Sequence, residues 1–185
     1  MKLKEMLLKV NKKYLIIYAC VVAVFFTLLI LMQVGVIGVS SESLGGRSSF
    51  DSTLTYYNGE HFYSTVALMS GETMLRYYLF HVCDYIFVIT YYLMMAGLTY
   101  LASDGKMRKF AFLVPALTAI ADIAENFSID LLIFLYPARY AYADFVGVLS
   151  CIKWYWGAVW IAITLVLAGI KIYKYISAKK KKEIA

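Results

Sequence analysis

The sequence predicts an all-α, polytopic membrane protein with four transmembrane helices in a bundle, and three observations predict it. The chain of 185 residues is 62% hydrophobic and only 16% charged, whereas a water-soluble domain carries about 25% charged residues. Its apolar residues gather into four runs, 14–37, 77–101, 110–136 and 146–173, each reaching the roughly 20 residues that a helix needs to cross hydrocarbon. The basic residues then fall on one side. Lys2, Lys4, Lys9, Lys12 and Lys13 precede the first run, Lys106, Arg108 and Lys109 separate the second and third, and lysines from Lys171 to Lys182 follow the fourth. The two remaining connections hold Arg47, Arg76 and Arg139 among several acids, so both termini are expected to be cytoplasmic. The expected location is a cell membrane, the cytoplasmic membrane of a bacterium, with the chain crossing it several times.

The formal charge of +6 is thereby read as an orientation signal, with no nucleic-acid partner implied. Lys179 to Lys182 also suit attraction to anionic lipid, worth about 1 kcal/mol per basic residue at the surface.

The first run has the basic start of a signal peptide and small residues near Val39 and Ser40. Its apolar stretch exceeds the usual 7–15 residues or so, which favours a retained span. Between the first two runs lies an external insertion, 38–76. It opens with a Ser- and Gly-rich stretch, 40–49, that reads as a mobile linker. Past the Asn58-Gly59 turn signal, Phe62, Val66 and Met69 recur at helical spacing until Ser70-Gly71. Such a piece lies on the outer surface or caps the bundle; its shortness favours a plain connecting helix. The brief connections 103–109 and 137–145 make the second, third and fourth helices antiparallel neighbours. Within the third run, Pro115 is expected to kink the helix. A basic tail, 174–185, closes a single domain.

Cys20, Cys83 and Cys151 all lie within apolar runs, which implies no disulfide framework. No paired Cys or His spacing suits zinc, and neither a metal nor a cofactor is expected.

Function is sought where charge enters the spans, because an ionisable residue in hydrocarbon is costly and marks a pathway, a pocket or a paired site. Helical spacing puts Tyr77, His81, Asp84, Val88, Tyr91 and Met95 on one stripe of the second run. On the third, Asp122, Glu125, Asn126, Ile129 and Ile133 share a face, with Asp130 at its margin. The fourth contributes Ser150, Lys153, Gly157 and Trp160, flanked by Trp154 and Trp156. Lys153 is the natural counter-ion for Asp122 or Glu125, and a neutral His81 is expected to hydrogen-bond Asp84 one turn away.

At about 1.5 Å per residue these groups converge in the outer half of the bundle. They predict an outward-facing acidic pocket walled by Tyr77, Tyr91, Trp154 and Trp156. The plainer alternative is a set of satisfied interhelical pairs that fix packing. The triplet Asn126-Phe127-Ser128 matches a glycosylation signal but falls inside a span and is expected to be unmodified.

These residues resemble a pattern of uncharacterised four-helix integral membrane proteins, chiefly bacterial. The resemblance runs from the Tyr57 region to Trp154 through Gly71, Tyr77, Asp84-Tyr85-Ile86-Phe87, Tyr91, Pro115, Lys153 and an intramembrane Asp-x-x-Glu-Asn step at Asp122, Glu125 and Asn126. Val88 stands where the pattern often has proline. It implies a shared polar core and brings no activity with it. In kind, though not in spacing, His81, Asp84 and Glu125 are similar to the acids and histidine of sterol-isomerase and sigma-2-receptor-like bundles, an analogy only.

The leading functional expectation is a membrane-embedded module that binds an amphipathic small molecule or lipid, with His81, Asp84, Tyr91, Asp122, Glu125, Asn126, Lys153 and Trp154 forming the site. The alternatives are an acid-base enzyme acting on a lipid-like substrate through Asp84, Asp122, Glu125 and Lys153, proton or cation transfer along the acids, and an accessory role in a homo-oligomer or beside a partner membrane protein.

Overall fold

The computed structural model describes residues 12–33 and 39–184. Lys2, Lys4 and Lys9, and the end of the first apolar run at 34–37, lie outside the described residues. Among the described residues there are five α-helices: α1 (Lys12–Gln33), α2 (Gly59–Val66), α3 (Gly71–Ala102), α4 (Ala116–Leu135) and α5 (Ala143–Ile184), with 3-10 turns at Glu42–Leu44, Phe50–Ser52 and Gly105–Phe110. No strand occurs among the described residues.

Local chemistry sets the helix starts. The Ser70 side chain accepts a hydrogen bond from the Thr73 N–H and Glu72 lies in the first turn of α3; both suit the exposed N–H groups and positive dipole of a helix N-terminus. Asn58 caps α2 through the His61 N–H at 2.9 Å. Pro115 corrects the expectation of a kink. It stands immediately before α4 with φ −79°, while 110–114 close as turns, Val114 N–H donating to Phe110 O at 3.1 Å. A residue without an N–H is tolerated where a helix begins, since that donor has no partner in the first turn anyway.

α3, α4 and α5 pack mutually, and α1 packs on α3. The architecture is therefore a three-helix core with one added helix, rather than four equivalent members. Two aromatic contacts hold α1: Phe25 stacks on Phe87 with centroids 5.1 Å apart, and the Tyr18 hydroxyl donates to Met94 O at 3.3 Å over Gly97. Two helices, α3 and α5, are long and apolar enough to cross a membrane. Their outward faces are uncovered, with Leu79, Val82, Leu165 and Val166 all more than half exposed.

The insertion forms a cap over one end of this core. Leu44, Phe50, Tyr57, Phe62, Tyr63, Val66 and Met69 are buried together with Tyr77 of α3, Ile129, Leu132 and Ile133 of α4, and Val146 of α5. The stretch 40–49 is thus an ordered part of the cap and not a linker. Leu44 is fully buried, and Arg47 Nη1 reaches Ser64 Oγ at 2.6 Å and Thr65 Oγ1 at 2.8 Å; one apolar anchor and one side-chain clamp outweigh the pliancy of the serines around them. α2 is both a connecting helix and a capping one, since Phe62 and Val66 are buried beneath it. Hydrogen bonds fasten the cap to the core: Phe50 N–H to Tyr77 OH at 2.9 Å, Gly59 N–H to Asp144 Oδ1 at 2.7 Å, Ser150 Oγ to Thr53 O at 2.9 Å and Tyr140 N–H to Tyr63 OH at 2.7 Å.

At the opposite end Lys171 of α5 lies 3.5 Å from Asp104 and donates to Leu101 O at 2.5 Å, which fixes α5 to the end of α3.

Candidate functional site: a buried acid cluster

The stripe on α3 points into the core. Tyr77, His81, Asp84, Val88, Tyr91 and Met95 are all buried, as their spacing of three and four requires for residues on one face. Asp122, Glu125, Asn126, Ile129 and Ile133 of α4 face them, and Ser150, Lys153 and Trp160 complete the interior from α5.

Lys153 bridges two acids, its Nζ 3.2 Å from Asp122 Oδ1 and 2.5 Å from Glu125 Oε2. Sequence spacing left open which acid it takes, and the structure gives it both. The second oxygen of Asp122 accepts from the Tyr91 hydroxyl at 2.9 Å. Asp84 Oδ2 accepts from Asn126 Nδ2 at 2.6 Å. One face of α4 therefore binds α3 through Tyr91 and Asp84 and α5 through Lys153, with every side chain in this set almost wholly buried.

His81 Nδ1 meets Asp130 Oδ1 at 2.6 Å, so α4 supplies it with a partner across the interface that spacing along α3 did not point to. Asp130 keeps about a quarter of its side chain exposed while His81 is fully enclosed. Trp154 is 41% exposed yet borders the cluster, with Lys153 Nζ over its ring 5.6 Å from the centroid. Trp156 points to the start of α4, donating to Val114 O at 2.7 Å.

The cluster is closed along the core axis at both ends. Above it lies the cap, with Phe50 and Tyr77 in contact at 5.8 Å between centroids. Below it Val88, Tyr91, Met95, Ala119 and Trp160 form an apolar plug. Beneath the plug Trp160 Nε1 donates to Thr99 Oγ1 at 2.7 Å and Thr99 meets Thr164 at 3.2 Å, polar links that carry no charge and that no motif announces. Two shallow grooves open on the outer surface, one of about 410 Å³ lined by Tyr85, Ile120, Ile123, Ala124 and Phe127, the other of about 310 Å³ between α4 and α5 with Leu117, Ile152 and Tyr155 in its walls. Neither is lined by an acid.

The site so defined is a buried polar core, acids and one lysine locked between three helices. No protein-family model, curated protein or solved structure matches the chain.

Proposed function

We propose that the protein is a multi-pass membrane protein whose acid cluster binds the cationic head of an amphipathic small molecule or lipid, in a site that opens toward the outside when the cap moves. The observation that carries the reading is the charge count of the enclosed cluster: Asp84, Asp122 and Glu125 against Lys153 alone. Buried carboxylates that outnumber the buried lysine are held with protons or with a bound cation.

The membrane setting accounts for the uncovered apolar faces of α3 and α5, which water would penalise and acyl chains would cover. On α5 the distance from Asp144 to Lys171 is about 40 Å at 1.5 Å per residue, close to the thickness of a bilayer with its headgroups. Lys153 then falls about 13 Å inside Asp144, in the outer half. The cytoplasmic side is the one marked by Asp104, Arg108 and Lys171, in keeping with the lysines that follow.

The reading is tested by purifying the protein in mild detergent and comparing co-purified small molecules, by native and denaturing mass spectrometry, between the wild type and an Asp122→Asn, Glu125→Gln double variant of equal folded yield. The expected result is a species retained by the wild type and lost from the variant. Identical spectra would sink the binding reading.

Proton transfer is the second reading, and one observation favours it: the partly exposed Asp130 is joined to the enclosed His81, a hydrogen-bonded step from surface to interior. Acidification of vesicle interiors that depends on Asp130 would support it over ligand binding.

A further inference from the structure

We infer that the head group this cluster takes is a cation that donates hydrogen bonds, a primary or secondary ammonium, and not a quaternary one. The inference rests on the ligand-site reading above and adds the chemistry of the ligand to it.

Charge alone does not distinguish the two kinds of cation; the hydrogen-bond inventory does. Asn126 is fully buried in the cluster, and its Nδ2 is committed to Asp84 Oδ2 at 2.6 Å. The other end of the amide, Oδ1, is buried and accepts from no group among the described residues. Turning the amide over would set its carbonyl against the Asp84 carboxylate, acceptor against acceptor, so the observed orientation is the one the cluster enforces.

A second acceptor stands in the same condition. Thr118 Oγ1 is buried without a partner among the described residues, and Thr118, Asp122 and Asn126 follow one another at intervals of four along the inward face of α4. Buried polar atoms are nearly always hydrogen-bonded, and an acceptor left over beside carboxylates asks for an N–H or O–H donor. An ammonium with N–H groups supplies the charge and the donor together.

A quaternary ammonium supplies charge alone and is recognised by an aromatic cage. The cluster offers no such cage. The Trp154 ring already has Lys153 Nζ over it, 5.6 Å from the centroid, and the Tyr91 ring is packed edge-to-face with Phe87.

The test uses the full-length protein in a neutral detergent and two probes, n-decylamine and decyltrimethylammonium, with affinity read by calorimetry. The wild type is expected to bind the amine more tightly by about tenfold or more, the worth of one hydrogen bond to a charged group. Asn126→Leu is expected to bring the two probes to within about twofold of each other, with the charge-dependent part of binding kept. Thr118→Val gives a milder variant with the cluster untouched, and the wild-type comparison needs no variant at all.

Equal affinity of the wild type for both probes, with loss of both in the Asp122→Asn, Glu125→Gln variant, would overturn the inference and leave the ligand site standing. Binding of neither probe would overturn both. Binding of both probes that the double variant retains would be partition into the micelle and would also overturn both.

Discussion

Gly147 of α5 is in backbone contact with Tyr57 of the cap: a β-carbon built at position 147 would stand 1.9 Å from the Tyr57 carbonyl oxygen. Only a residue without that carbon lets the 53–58 segment cross the helix so closely, and the crossing seats the cap on the core. Gly147→Ala is expected to lift the cap and lower stability by about 1–3 kcal/mol or more, since a backbone cannot yield as a side chain does. Thermal unfolding in detergent checks this, with Gly71→Ala as the control, because nothing lies within 4 Å of a β-carbon there. Equal melting of the two variants would refute it.

Lys153 pairs with two buried acids at once. Lys153→Met leaves Asp122 and Glu125 enclosed without their cation and is expected to cost about 3–5 kcal/mol. Adding Asp122→Asn and Glu125→Gln to that variant is expected to recover much of the loss, because an uncharged cluster needs no counter-ion. Chemical denaturation of the single, double and triple variants measures the coupling; additive losses would mean that the three residues do not act as a unit.

α1 packs on the core chiefly through α3, and Gly97 lies in that contact. A β-carbon at 97 would come within 2.5 Å of the Tyr18 ring. Gly97→Leu is expected to loosen α1 alone. Hydrogen exchange followed by mass spectrometry will show faster exchange in 16–31 with α3, α4 and α5 unchanged, whereas faster exchange across all four helices would mean that α1 is integral to the core.

The interior was legible because helical period alone determines it. The stripe from Tyr77 to Met95 on α3, and the face from Asp122 to Ile133 on α4, are the ones that the structure buries. Lys153 was legible as a counter-ion because charge in an apolar run must be met by charge. What period does not encode is how far a marginal residue reaches. Asp130 is at the edge of its face by angle, yet its side chain crosses to His81. Trp154, about 100° around the helix from Lys153, meets the site through the face of its ring, over which Lys153 Nζ lies. The 40–52 part of the cap was hidden for another reason: Leu44 and Phe50 are lone apolar residues in a polar stretch, and their burial depends on Phe62 and Tyr77, outside that stretch.

On the membrane reading proposed above, the bridge from Lys153 to Asp122 and Glu125 also bears on how such a chain would enter a bilayer during synthesis. α4 by itself is a poor candidate for insertion, with Asp122, Glu125 and Asp130 each penalised by about 3 kcal/mol near the centre of a span. α5, made after α4, carries the cation that pairs with two of them. The two helices are therefore expected to partition together as a hairpin with Lys153 already beside Asp122 and Glu125, so that α4 waits at the translocation machinery until Lys153 has emerged from the ribosome.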